Sequence, residues 1–152
     1  MSRAFVKEPD GGEPVEPLPD RPISPHPNFV TPEGLQAIDA QLAELQERQA
    51  AAQDRAALAQ IGRDARYWSA RRSTAQVVTP PEHPDEVSFG TMVTFTRDDG
   101  RRQTYRIVGE DEADPARGTL SHVATVARAL FGKKVGDVVE AGNAELEILE
   151  IK

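Results

Sequence analysis

VSFGTMVTFTRDDGRRQTYRIVG, running from Val87 to Gly109, decides the fold. Apolar side chains recur at every second position, Val93 and Phe95 on one side of Asp98, Asp99 and Gly100, and Tyr105 and Ile107, followed by Val108, on the other. Period-two patterning around an Asp-Gly turn predicts a β-hairpin with one buried face. The acid-rich loop GEDEADPARG (Gly109 to Gly118) follows. After Thr119, Leu120 and Ser121, the stretch VATVARALFGKK places Val123, Val126, Ala127 and Leu130 at helical spacing. Gly132 with Lys133 and Lys134 ends that short helix, since glycine and cations suit a helix C-terminus. Val135 to Glu140 and Ala144 to Ile151 then read as further strands about Gly142 and Asn143. Residues 87–152 are therefore expected to form a small antiparallel sheet with one short helix.

Upstream the period changes. Thr31, Pro32 and Glu33 supply an N-cap, a favoured first helical residue and a first-turn acid. Leu35, Ile38, Leu42 and Leu45 alternate spacings of three and four, continued more weakly by Gln49 and Ala52. A second stripe, Leu58, Ile61, Ala65 and Trp68, extends through Arg72 to Ala75. The intervening QERQAAAQDRAA (Gln46 to Ala57) contains neither Pro nor Gly, so one continuous helix is the alternative. A lone helix would leave both stripes in water, whereas a turn near Ala51 to Arg55 lets an antiparallel hairpin bury them together. Trp68 is read as packing at the hairpin base. Val77, Val78 and the three prolines of TPPEHP stop the second helix. The chain is thus divided into a leader (1–30), a helical hairpin (31–78), a linker (79–86) and the sheet domain (87–152).

The leader holds seven of the chain's twelve prolines between Pro9 and Pro27, in EPDGGEPVEPLPDRPISPHP. No helix or central strand propagates through that spacing, so an extended or disordered tail is expected. A docking peptide anchored by Phe5 and Val6 is the sharper reading.

Composition narrows the function. The 152 residues carry 18 Lys and Arg against 25 Asp and Glu, a net charge of −7 that opposes general binding to a phosphate backbone. The absence of Cys excludes disulfides, thiolate nucleophiles and Cys-ligated metal. No window has the ~18 apolar residues of a membrane span, and no signal peptide is evident, so a cytoplasmic monomer is expected. His26, His83 and His122 are too scattered for a metal site, and the acids from Glu110 to Asp114 lack calcium-loop spacing. The basic pairs at Arg71, Arg101 and Lys133 have no interleaved aromatics to stack single-stranded bases.

The stretch from Phe89 to Glu140 resembles the C-terminal FKBP-like domain of the Gre transcription elongation factors, most strongly in YRIVGEDEAD (Tyr105 to Asp114) and ARALFGKKVGDVV (Ala127 to Val139). A looser likeness continues back through RYWSARRSTAQVV to the hairpin. The fold class implied is α+β: a short antiparallel coiled-coil hairpin followed by a small FKBP-like antiparallel sheet with one short helix. The aromatic-lined pocket of a prolyl isomerase is not expected from five Phe, two Tyr and one Trp that the core absorbs.

The resemblance implies that the globular domain grips the rim of the RNA polymerase secondary channel while the coiled coil enters it. Two tip acids then help hold the Mg²⁺ of the polymerase active site for cleavage of backtracked RNA, chemistry suited to hard carboxylate oxygens. By that resemblance Asp111, Glu112, Asp114, Ser121, Ala124, Thr125 and Arg128 are the polymerase-binding candidates, although Ala124 and Thr125 stand where the family usually carries Ser-Pro. The tip departs further. The family's tip segment resembles GDLxEN, and nothing like it occurs between Thr31 and Val78. The tip here offers only Asp54, beside Arg55, on arms of ~30 Å. Such a reduced coiled coil resembles the nucleoside-diphosphate-kinase regulator proteins. The expectation is a non-enzymatic factor that binds core polymerase without efficient cleavage stimulation and has no cofactor of its own. The alternatives are a true cleavage factor using Asp54, and a coiled-coil adaptor unrelated to polymerase.

Overall fold

A computed structural model describes residues 18–152. Two helices stand as an antiparallel hairpin, α1 (Pro32–Ala51) and α2 (Arg55–Thr74). Thr31 caps α1 by accepting the Gly34 N–H at 3.0 Å, with Pro32 and Glu33 in the first turn. The chain reverses through Ala52 to Asp54 in extended backbone, without glycine or proline, and Asp54 caps α2 by accepting the Ala56 N–H at 3.2 Å. The hairpin, rather than the continuous helix, is therefore what the chain adopts.

Its seam is narrower than the two stripes predicted. Ile38, Leu45 and Ile61 are buried, Leu35, Leu42 and Trp68 are half-buried, and Leu58 is exposed. In the last turns of α2 the buried residue is Arg71, while Arg72 lies outside and pairs with Asp39 at 2.7 Å. The stripe read from the sequence continued through Arg72; the protein instead turns Arg71 inward, where carboxylates of the second domain await it.

Two short strands close the hairpin base. β1 (Phe29–Val30) and β2 (Gln76–Val77) pair in parallel, Phe29 with Gln76 and Val30 with Val77. Residues 18–28 lie against α2, so the expectation of a solvated tail does not hold for them: Asp20 and Arg21 find ion partners on the helix, and Asn28 is buried. Phe5, Val6 and the rest of the leader before Leu18 fall outside the described residues.

The second domain is a five-stranded sheet ordered β5-β4-β3-β7-β6. It comprises β3 (Met92–Arg97), β4 (Arg102–Val108), β5 (Thr119–Ser121), β6 (Val138–Ala141) and β7 (Ala144–Ile151). Gly100 turns β3 into β4 at φ 87°, a left-handed conformation that favours glycine. The sheet is mixed rather than wholly antiparallel, because β5 joins β4 in parallel, pairing Arg106 with Thr119 and Val108 with Ser121. Three residues are too few to show a period, so the sequence assigns Thr119, Leu120 and Ser121 to no element. α3 (Thr125–Leu130) is shorter than its apolar spacing suggested, and it lays Ala127 and Leu130 on a core of Val93, Phe95, Ile107, Leu146 and Ile148.

Candidate functional site

The loop after β4, Gly109 to Asp114, meets the hairpin base, and its acids divide into inward and outward groups. Asp111 points inward. It accepts the Arg71 Nε–H at 2.6 Å and the Tyr67 hydroxyl. Arg71 also donates through Nη2 to Asn28 Oδ1 at 2.7 Å, and Asn28 donates back to the Arg71 carbonyl at 2.7 Å. A guanidinium only 2% exposed is stable when its donors are matched by acceptors, and here the leader supplies one through Asn28 and the loop another through Asp111. Burial first, then the bond to Asp111, pushes the Tyr67 hydroxyl up to about 12.

Glu112 also points inward. One of its oxygens accepts the backbone N–H groups of Thr31 and Gly109, each at 3.0 Å, and the other accepts the Thr31 hydroxyl. Thr31 is thus a relay: its oxygen caps α1 while its hydrogen binds Glu112 in the loop after β4. The close approach leaves no room for a side chain at Gly34, where an added Cβ would lie 2.6 Å from Glu112 Oε1.

Glu110 and His122 complete the junction. Glu110 Oε2 sits 3.9 Å from Arg71 Nη2. His122 is packed between Phe29 and Phe89 at ring separations of 5.4 and 5.5 Å. Burial pulls its imidazole below the usual range, although the nearby Glu110 carboxylate opposes this.

Of the remaining candidates Asp114, Thr125 and Arg128 are exposed, whereas Ser121 and Ala124 are half-buried, Ala124 against the core. Asp114 is exposed at the start of a 3-10 turn (Pro115–Arg117) and lies 3.8 Å from Arg117. Ser121 ends β5, and its hydroxyl accepts the Val123 N–H at 3.2 Å. Ala124 is the residue before α3, and Thr125 and Arg128 are exposed one turn apart on that helix. Ser121, Ala124, Thr125 and Arg128 therefore follow one another from the end of β5 into α3. Asp111 and Glu112 have their carboxylates bonded within the chain. Asp54 stands alone at the far end of the hairpin as the α2 cap.

Reading the sequence alone missed Asn28, Thr31, Tyr67 and Arg71 as partners of the acidic loop. The sequence put Arg72 rather than Arg71 on the inward row, so its pattern gave no signal for this pairing. Among the described residues no group of three His, Asp or Glu side chains comes together to hold a metal ion. None of the described helices is long and apolar enough to cross a membrane.

The chain thus couples a helical hairpin to a sheet domain whose acidic loop inserts at the hairpin base. Residues 81–152 match the family Transcription elongation factor, GreA/GreB, C-term. Transcription elongation factor GreB of Neisseria meningitidis serogroup B is 35% identical over 152 residues, covering 82% of this chain and 93% of that protein. Transcription elongation factor GreA of Pseudomonas putida is 45% identical over 80 residues, covering 49% of this chain and 50% of that protein. A solved transcription elongation factor GreA/GreB from Nitrosomonas europaea aligns at TM-score 0.41 with 22% identity, over 82% of this chain and 98% of that one. The chain belongs to the GreA/GreB family of transcription elongation factors.

Proposed function

We propose that this chain docks on bacterial RNA polymerase at the rim of the secondary channel through its sheet domain, and occupies the channel entrance without stimulating efficient transcript cleavage. The observation carrying this reading is the hairpin. Each arm has 20 residues, ~30 Å at the helical rise. Its turn presents a single carboxylate, Asp54, already engaged as a helix cap. Holding a catalytic Mg²⁺ by hard oxygen ligands calls for more than one such group in reach. The GreB alignment is consistent with a reduced element, since it spans 152 positions while using 82% of this chain, so that relative has residues with no counterpart here.

In this reading the docking face is the strip of Ser121, Ala124, Thr125 and Arg128, with Asp114 at its edge. Asp111 and Glu112 hold the loop in shape. The factor acts as a monomer, contributes no cofactor and makes no stable contact with nucleic acid, as its net charge of −7 favours.

The test is RNA 3′-end cleavage in purified backtracked elongation complexes, with the protein alone and then beside a competent Gre factor. The expected result is no cleavage alone and inhibition of the added factor, with Asp54→Ala behaving like the parent. Cleavage by the protein alone, lost in Asp54→Ala, would establish a true cleavage factor. No retention on immobilised core polymerase would establish an adaptor with another partner.

A further inference from the structure

The segment before β1 is held to α2 unevenly. From Asn28 onward the chain is fixed: Asn28 is 4% exposed, donates through Nδ2 to the Arg71 carbonyl and the Thr74 hydroxyl, and accepts the Gln76 N–H at 2.9 Å. From Leu18 to Pro27, among the described residues, no backbone group bonds to α2, and side chains alone make the contact. They touch at every third position, with Leu18, Arg21 and Ser24 half-buried and the residues between them exposed. Leu18 lines a groove with Ala56, Ala59 and Gln60 in the first turns of α2. Asp20 pairs with Arg66 at 2.6 Å, though both are more than half exposed. Arg21 stands 3.4 Å from Asp64 and lays its guanidinium 3.9 Å from the Tyr67 ring centre.

Contacts of this kind open readily. Exposed ion pairs hold weakly and are screened by salt, and a partly wet cation over a ring adds only a modest attraction. Pro19, Pro22, Pro25 and Pro27 fix their own φ, so the segment stays extended when released and loses little backbone freedom on closing again. Asn28 and the pairing of β1 with β2 hold its other end.

Tyr67 joins this segment to the acidic loop. Its ring face carries Arg21, and its hydroxyl donates to Asp111, the carboxylate that also accepts from the buried Arg71. The Trp68 ring meets it edge to face at 5.1 Å and limits its tilt. One rigid ring thus has the leader on its face and the loop at its end.

We propose that residues 18–27 form a latch that opens and closes along α2, hinged at Asn28, and that Tyr67 is a positioning residue passing the state of the latch to the loop that carries Asp111. Closed, the latch pins the ring and fixes the hydroxyl that Asp111 accepts; open, it leaves that carboxylate to Arg71. The coupling is reciprocal, so whatever loosens Asp111 favours the open latch. In the function proposed above this loop shapes the docking face, which places docking under the control of the latch; the latch itself does not rest on that reading.

Because the chain has no Cys, Ile23→Cys on the latch and Glu44→Cys, exposed on α1, carry one nitroxide pair, read by pulsed dipolar spectroscopy in the full chain without polymerase. A closed latch gives one narrow distance and an open latch a broad distribution. Raising salt from about 0.01 M to about 1 M shrinks the Debye length from ~30 Å to ~3 Å and is expected to convert part of the narrow peak into the broad one. Arg21→Ala is expected to do so at low salt. Asp111→Asn alters a residue bonded to α2 rather than to the latch, yet it is expected to raise the open-to-closed ratio about fivefold. Tyr67→Phe, which keeps the ring and removes the hydroxyl, is expected to abolish that rise. A narrow peak that persists through the salt series and in Arg21→Ala would overturn the latch, and the salt series needs no variant beyond the labels. An unchanged ratio in Asp111→Asn would overturn the transmission. A rise that survives Tyr67→Phe would overturn the role of Tyr67, since a route through charge or through Arg71 needs no hydroxyl.

Discussion

Arg71 Nε stands 2.6 Å from Asp111 Oδ2, on a guanidinium that is 2% exposed and a carboxylate that is 11% exposed. This pair joins the base of the hairpin to the loop leaving β4. Removing one member leaves the other charge buried without its partner, which costs about 3–5 kcal/mol. Arg71→Ala is therefore expected to lower the urea midpoint sharply. Arg71→Lys should recover little, because an ammonium cannot serve Asp111 and Asn28 in the same fork geometry. The contrasting pair, Arg72 with Asp39, is about half exposed on both sides, and its loss should cost under ~1 kcal/mol.

Glycines on the hairpin give opposite signs. Alanine is favoured over glycine inside a helix by about 1 kcal/mol. At Gly62 an added Cβ meets nothing nearer than Arg66 Nη1 at 3.5 Å, so Gly62→Ala should stabilise. At Gly34 the same atom drives into the Glu112 carboxylate, which is fixed by Thr31 and Gly109. Gly34→Ala should destabilise despite its better helix propensity. Thermal melts of the two variants check this, and equal shifts would mean that Glu112 is not held as described.

Two junction groups contribute to the pH dependence of stability. Burial keeps His122 neutral below its ordinary range. As pH falls below the unfolded value near 6.5, the unfolded chain binds a proton that the native chain resists. Stability should therefore decline on acidification through that window, and His122→Phe should flatten the decline. Tyr67 works in the opposite direction: its hydroxyl is pushed up to about 12, so its contribution is intact below the unfolded value near 10 and is lost as pH rises toward 12. Ultraviolet difference titration should show one late tyrosine, which shifts earlier in Asp111→Asn yet stays raised by burial.

How much of this was legible follows the physics of each signal. Period-two alternation around Asp99 and Gly100, and the Thr31-Pro32-Glu33 start, are local and unambiguous, so the β3–β4 hairpin and the head of α1 were readable residue by residue. The turn at Ala52 to Asp54 was readable only through burial, since two stripes needed each other and no glycine or proline marked the place. The parallel pairing of β5, and of β1 with β2, depends on partners distant in the chain and was not legible. Nor was the engagement of Asp111 and Glu112, because acids near the surface look alike in sequence whether they face water or a buried Arg71. The resemblance pointed to the loop from Gly109 to Asp114; the geometry divides it into carboxylates that brace the junction and Asp114, which is exposed.

That division yields a decisive comparison between Arg128 and Asp111. Arg128 is exposed in the last turn of α3, where a cation gains at most about 1 kcal/mol from the helix dipole. Arg128→Glu should thus move the melting temperature only slightly. If the strip from Ser121 to Arg128 is the docking face, reversing this charge places repulsion in the interface and should weaken retention on immobilised core polymerase at least tenfold. Asp111→Asn should instead lower both stability and retention, because the loop loses its anchor and the face loses its shape. Loss of retention without loss of stability in Asp111→Asn would reassign that carboxylate to direct docking. Unchanged retention in Arg128→Glu would remove α3 from the docking face and leave the outer edge at Asp114 as the next surface to vary.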